Sequence, residues 1–248
     1  MYFSGRTSRL FALIISSCIT TSVTAQEKPF PLLKGKYIDD LLPGNEAQVF
    51  ASGVISTEDY EHSAPAFSRD GKTVIWGIVE RDKPSRLLEM DKVNGVWTKP
   101  SIISFSAKIS DDMYPFFSAD GRKLYFCSRR PLPSGLPVND LRIWITEQSF
   151  SGWSEPYPLD SAVSAGYEYA HSMSSKGDLY FSTRKVIDGK PKWSIYVSKF
   201  ADNKYQLPEK LSAEINDGSY VDGPFISRDA SFLVFESDRP GGLGSNDL

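Results

Sequence analysis

The strongest constraint on the fold is a short motif that recurs four times, about every fifty residues. Its copies occupy residues 66–71, 116–121, 171–177 and 225–230. The first two copies read Ser-x-Asp-Gly, which predicts a tight hairpin turn, because Asp bonds back to the backbone and Gly tolerates positive φ. The third copy has Lys176-Gly177 and the fourth Asp229-Ala230, so the geometry of these two turns stays open.

Each copy of the motif lies within a unit of four predicted strands. One apolar strand precedes the turn, a second follows it, and a third is predicted at 86–90, 141–146 and 194–198. The fourth carries an aromatic residue three positions before a proline. These pairs are Trp97 with Pro100, Trp153 with Pro156 and Tyr205 with Pro208. Proline cannot donate a ladder hydrogen bond, so it indicates a sheet edge. Four antiparallel strands per repeat predict an all-β propeller blade.

The second copy resembles a known repeat family. It reads Pro-x-Phe-Ser-x-Asp-Gly-x-x-Leu-Tyr-Phe-x-Ser, and the last copy is followed by Ser-Asp-Arg-Pro-Gly-Gly at residues 237–242. These motifs resemble the WD-like propeller repeats of the TolB type, found in exported bacterial proteins. The resemblance covers residues 49–248. It implies a β-propeller of four-stranded antiparallel blades, five or six when complete, of which about three and a half are present.

The repeat spacing also predicts where the propeller domain begins and stops. Asn246-Asp247-Leu248 matches Asn139-Asp140-Leu141, the entry to a third strand, so the domain at 49–248 is expected to be incomplete at its C-terminus. The same spacing predicts an edge strand at 49–55 that would close the ring. Residues 26–48, rich in Pro and Gly, are expected to form an extended lead-in.

The N-terminus predicts export. Arg6 and Arg9 precede an apolar run, and Val23-Thr24-Ala25 has the small-x-small pattern of a cleavage site, so residues 1–25 are interpreted as a signal peptide. This places the chain in the periplasm or outside the cell. The alternative is a lipoprotein anchored through Cys18, which follows Ile-Ser-Ser. No stretch is long enough to span a bilayer as a helix.

Charge and motifs exclude several functions. Lys and Arg total 28 against 31 Asp and Glu, and no basic stripe is present, so nucleic acid is not expected as a partner. The sequence lacks the common hydrolase, zinc and nucleotide motifs, and two histidines cannot form a three-histidine metal site. No metal or cofactor is therefore expected.

Candidate ligand-binding residues lie where the innermost strands begin, at the expected mouth of the central channel. Aligned on the repeat, they are His62, Asp112, Glu168, Tyr169 and Asp222, together with His171, which stands where the other copies have proline. An acidic rim would favour a cation, a basic peptide or a sugar. The alternatives are solvated acidic loops and a structural, hydrogen-bonded His171.

The TolB resemblance implies a role in envelope protein complexes. We therefore expect a non-catalytic module that binds a protein or peptide. The alternative is a carbohydrate-active enzyme, a glycosidase or lyase, using Asp112, Glu168 and Asp222 as acid and base. A third hypothesis is a propeller joined to a peptidoglycan-binding or peptidase domain beyond Leu248.

Overall fold

Antiparallel β-sheets make up nearly all of the described structure. The computed structural model describes residues 29–35, 37–38, 44–61, 63–106, 111–134, 140–164 and 166–248. The predicted signal peptide at 1–25, the lipidation candidate Cys18 and the site candidate His62 lie outside these residues. Residues 32–248 form one compact unit.

Each copy of the repeat forms one sheet, and we number these sheets blades one to four. Blade one contains β1 (Tyr60–Glu61), β2 (Ala66–Phe67), β3 (Thr73–Val79), β4 (Arg86–Val93), β5 (Val96–Trp97) and β6 (Ser101–Ile102). Blade two contains β7 (Asp112–Phe117), β8 (Lys123–Ser128), β9 (Arg142–Ser149), β10 (Gly152–Trp153) and β11 (Tyr157–Pro158). A short 3₁₀ turn at Ser104–Ser106 precedes blade two.

The last two blades follow the same order. Blade three contains β12 (Tyr167–Met173), β13 (Leu179–Ile187), β14 (Lys190–Ser198) and β17 (Glu209–Lys210), with a small hairpin of β15 (Phe200–Ala201) and β16 (Lys204–Tyr205) beside it. Blade four contains β18 (Val221–Ile226) and β19 (Leu233–Ser237). The predicted four-stranded antiparallel blade is thus confirmed, most simply in blade three, where the strand order is β12-β13-β14-β17.

The motif turns of all four blades share one backbone hydrogen bond. In the first copy the amide of Gly71 donates to the carbonyl of Ser68, and the third and fourth copies repeat this bond from Gly177 and Ala230. Ala230 holds a φ of 58°, a left-handed conformation that glycine adopts more easily. The fourth turn therefore keeps the geometry of the first two. The third turn is one residue shorter, because the amide of Ser174 donates to the carbonyl four residues on instead of five.

The hydrophobic core lies between adjacent blades. Alternate residues of a strand point to opposite faces of its sheet, and in β8 both faces are buried. Leu124 and Phe126 pack in a cluster with Ile75 of blade one, whereas Tyr125 and Cys127 pack in a cluster with Phe181 of blade three. Burial on both faces explains why residues 124–127 of β8 are all apolar.

The outermost strands differ in detail from the prediction. Trp97 and Trp153 lie in short hairpins with the ends of β4 and β9, and the outermost strands β6 and β11 begin only after the following proline. Pro100 and Pro156 therefore each separate two short strands instead of lying within one.

The predicted edge strand at residues 49–55 is wrong. The amides of Val54 and Ile55 both donate to the carbonyl of Ala51, at 3.0 and 2.9 Å, so this segment is a turn. The amides of Val163 and Ser164 make the same turn at Asp160, between blades two and three. The repeat spacing predicted a strand because the connecting turn and the outer strand are adjacent.

Among the described residues there is no helix both long and apolar enough to span a membrane.

Candidate functional site: the channel between the inner strands

A channel of about 770 Å³ lies between the innermost strands of the four blades. It is lined mainly by apolar side chains and by the prolines of the repeat, together with several serines, Arg228 and Glu236. The main lining residues are Ala64, Pro65, Phe67, Tyr114, Pro115, Phe116, Ala170, His171, Pro224, Phe225 and Glu236. Its volume lies in the range typical of ligand-binding cavities.

A repeated irregularity of the inner strands shapes the channel wall. The register shifts between Met113 and Phe116 in blade two, between Glu168 and His171 in blade three, and between Asp222 and Phe225 in blade four. Such a bulge leaves one extra residue unpaired and re-aims neighbouring side chains.

The bulge carries backbone strain in blade two. Tyr114 has a φ of 54°. The residue at the corresponding place in blade four is Gly223, which has a φ of 61°. A left-handed tyrosine costs free energy that glycine does not pay, and such strain clusters at functional sites. Tyr114 lines the channel.

His171 is the one predicted site residue that lines the channel within the described part of the chain. It is only 6% exposed, and burial lowers its pKa to about 4, so its ring is neutral near pH 7. Nδ1 lies 3.6 Å from the Cys127 thiol, whose pKa is raised by burial. Nε2 has no hydrogen-bond partner among the described residues. His171 therefore presents a neutral polar ring to the channel, next to Ala170, which lies in the bulge where blades two and four have Pro115 and Pro224.

Asp112 lies inside blade two instead of lining the channel. Its side chain is fully buried, and its two oxygens accept from Arg130 Nη2 at 2.9 and 2.7 Å. Burial raises the pKa of Asp112 against the lowering effect of Arg130. The guanidinium also lies over the ring of Phe126, 4.9 Å from its centroid. The arrangement suits a structural ion pair.

Glu168 is buried at the junction of blades two and three. It is 3% exposed, and it accepts hydrogen bonds from Ser164 Oγ and the Gly166 amide, both at 2.7 Å. Burial raises its pKa from 4.5 to about 7. A carboxyl group of this kind could donate a proton near neutral pH, but it does not line the channel.

Asp222 is likewise buried, at 4% exposure. It accepts hydrogen bonds from the hydroxyls of Ser182 and Tyr220 and from the Gly223 amide. Asp112, Glu168 and Asp222 thus lie in separate hydrogen-bonded settings, and the structure does not bring them together on the channel wall. Ligand binding at these three positions stays a prediction.

Tyr169 belongs to an aromatic cluster at the end of the channel where the inner strands begin. Its ring centroid lies 4.7 Å from that of Tyr114, 6.2 Å from Tyr167 and 5.3 Å from Trp193, and Trp193 lies 5.8 Å from Tyr220. We call these five residues the tyrosine cluster. Burial raises the pKa of Tyr114 and of Tyr220, so both hydroxyls stay protonated.

Sequence reasoning missed most of this cluster. Tyr114 and Tyr220 lie within two residues of the aligned positions that it selected, so the repeat itself carried the signal. Trp193 lies on the third strand of blade three, and only the tertiary structure brings it to Tyr169. Within the described residues no group of three or more His, Cys, Asp or Glu side chains could hold a metal ion.

The raised pKa of Glu168 predicts a pH dependence of stability. The folded state holds this proton up to about pH 7 and the unfolded state only to about 4.5, so the free energy of unfolding falls as pH rises between these values. The loss is as much as about 3 kcal/mol. Glu168→Gln should remove this fall, measured by urea unfolding at pH 5 and pH 8. Glu155→Gln, at an exposed residue, should keep the wild-type fall, and equal profiles for both variants would contradict the assignment.

Comparisons with known proteins support the fold. No protein-family model and no curated protein matches the chain. Among solved structures, TolB from Acinetobacter baumannii aligns with a TM-score of 0.50 and 16% identity over 73% of this chain and 38% of that one. A putative TolB from Agrobacterium tumefaciens aligns at 0.41 and 22% identity, over 63% and 50%. A Hadza microbial sialidase, Hz136, aligns at 0.45 and 12% identity, over 72% and 42%.

The fold is a TolB-like β-propeller. The predicted fold class is thereby confirmed, and the described residues form three sheets of four or more strands and two sheets of two strands. The chain spans 38% of the length of the Acinetobacter TolB, so the likeness concerns the propeller fold alone.

Proposed function

We propose that this chain is an exported, non-catalytic propeller module that binds an extended, largely apolar segment of a partner protein in its central channel. The observation that carries the proposal is the channel itself, which is lined by prolines, aromatic rings and the neutral His171. Such a wall suits apolar side chains, while a few polar groups orient the bound segment. Export rests on the sequence features of residues 1–25.

The placement of the carboxylates supports binding over glycoside hydrolysis. A glycosidase needs two carboxyl groups facing the scissile bond across the substrate. Asp112 is tied to Arg130, and Glu168 and Asp222 accept several hydrogen bonds at different blade junctions. Glu168 has a pKa suited to a general acid, yet its carboxylate is engaged by Ser164 and Gly166.

A substitution that blocks the channel tests the proposal. Peptides are selected from a random display library against the full chain, and their affinity is measured by fluorescence anisotropy. Ala64 lines the channel and is exposed, so Ala64→Trp should obstruct the channel without disturbing the core. We expect Ala64→Trp to weaken binding of the selected peptides by about tenfold or more, since excluding two or three side chains costs over 1.4 kcal/mol.

The matched control is Ala162→Trp, at an exposed residue that does not line the channel. It should leave peptide affinity within a factor of two or so of wild type. Equal binding by the Ala64→Trp variant would refute the channel as the binding site. Turnover of an oligosaccharide panel, abolished by Glu168→Gln in a folded protein, would instead establish the enzyme.

A further inference from the structure

One hairpin projects beyond the body of blade three. The first residue of the inner strand, Tyr167, pairs with Arg184 of β13, yet the β13–β14 ladder continues for three more pairs to Ile187 and Lys190. Blade two has no such extension. Asp112, the first residue of its inner strand, pairs with Ser128, the last residue of β8, and Ser128 pairs with Arg142, the first residue of β9. Three residue pairs extend the hairpin by roughly 10 Å.

The projecting hairpin is basic. Residues 184–193 carry four cations, Arg184, Lys185, Lys190 and Lys192, against the single acid Asp188, in a chain whose net charge is −3. Lys185 and Lys192 are direct cross-strand partners, an arrangement that destabilises a sheet through like-charge repulsion. Within the described residues none of the four cations forms a salt bridge.

Two exposed apolar side chains lie near the tip of the hairpin, beyond Arg184 and the Lys185–Lys192 pair. Val186 is 70% exposed and Ile187 48% exposed, and every residue from 184 to 191 is exposed. Because side chains alternate along a strand, Arg184 is followed by Val186 on one face of the hairpin and Lys185 by Ile187 on the other. On the first face, therefore, Val186 lies nearer the tip than Arg184. On the second face Ile187 lies level with its cross-strand partner, Lys190.

The inner part of the hairpin is held in place by aromatic rings. The Arg184 guanidinium lies 4.3 Å from the centroid of Tyr167, and Lys185 Nζ lies 5.0 Å from that of Tyr196. The turn at the tip uses Asp188 and Gly189, with φ values of 51° and 72°, the pattern of a two-residue hairpin turn. The cations thus project from an ordered two-stranded hairpin.

We propose that this hairpin docks the protein, tip first, on the surface of an anionic lipid bilayer. The apolar groups near the tip would enter the headgroup layer, while Lys190 beside them and the three cations behind them pair with anionic headgroups. A soluble polyanion would use the cations but leave Val186 and Ile187 in water. Asp188 opposes the attraction, so its neutralisation should strengthen binding. The inference goes beyond channel binding and stands without it.

Vesicle co-sedimentation of the full chain tests the inference. The probe is phosphatidylcholine vesicles with about 30% phosphatidylglycerol, compared with phosphatidylcholine alone. We expect binding only to the anionic vesicles. Lys185→Gln with Lys192→Gln should weaken it about tenfold or more, since each cation near an anionic surface contributes about fivefold. Val186→Ser with Ile187→Ser should weaken it several-fold, and Asp188→Asn should strengthen it.

Matched controls remove the same groups elsewhere. Lys204→Gln with Lys210→Gln removes two exposed lysines of the same blade, and Val93→Ser with Leu207→Ser removes two exposed apolar side chains. Both controls should bind as wild type does. Equal weakening by a control pair would overturn the hairpin assignment. Loss with the lysine pair alone, together with full displacement by heparin, would overturn the bilayer in favour of a soluble polyanion.

Discussion

Arg130→Met is expected to lower the free energy of unfolding by about 3–5 kcal/mol. The substitution keeps an apolar side chain of similar length beside Phe126, but it leaves the fully buried Asp112 carboxylate without its cation. The variant should regain part of the loss by protonating that carboxyl group. Its deficit should therefore be larger at pH 8 than at pH 5, because a raised folded-state pKa makes stability fall as pH rises. Urea unfolding at both pH values measures this.

Two further variants distinguish the loss of this ion pair from the loss of an arginine side chain in general. Adding Asp112→Asn to Arg130→Met removes the unpaired charge and should restore a large part of the stability. Arg122→Met, at an exposed arginine of the same blade, should change the free energy of unfolding by less than about 0.5 kcal/mol. A small effect of Arg130→Met would mean that water reaches Asp112.

Phe126→Ala is expected to lower the free energy of unfolding by about 3–5 kcal/mol, through lost burial and the cavity that remains. Phe126 is fully buried between blades one and two, and its ring stacks 5.2 Å from that of Phe105. It also lies beneath the Arg130 guanidinium, so the two substitutions should not be additive. Thermal and urea unfolding monitored by tryptophan fluorescence measure the effect.

The control for this substitution is Phe150→Ala. Phe150 is fully exposed in the turn between β9 and β10, so its removal should cost less than about 0.5 kcal/mol. A loss below about 1 kcal/mol for Phe126→Ala would indicate that the blade interface collapses around the missing ring. That result would argue against tight packing between blades one and two.

The sequence was a reliable guide to each blade and a poorer guide to what lies between blades. Ser118, Asp120 and Gly121 form their turn by bonds within a few residues, so a local motif was enough to predict it. The edge strand predicted at 49–55 was wrong, because the outer strands are only two residues long and lie next to the connecting turn, which the repeat spacing does not distinguish from them.

The candidate site was likewise predicted only in part from the sequence. The break in the repeat at His171 was visible in the sequence, and its side chain does line the channel. The predicted acidic rim differs, because its three carboxylates do not line the channel in the structure. Alignment put Asp112, Glu168 and Asp222 at comparable positions, but their inward burial depends on partners such as Arg130, Ser164 and Ser182.

By itself the sequence determined the repeat, the turn of each blade and the all-β propeller, because these depend on hydrogen bonds and strand alternation within about fifty residues. Only the tertiary structure decided which polar groups are buried, which rings form the tyrosine cluster and how far the β13–β14 hairpin projects. Those features depend on how neighbouring blades pack and pair, and residues far apart in the chain supply their partners.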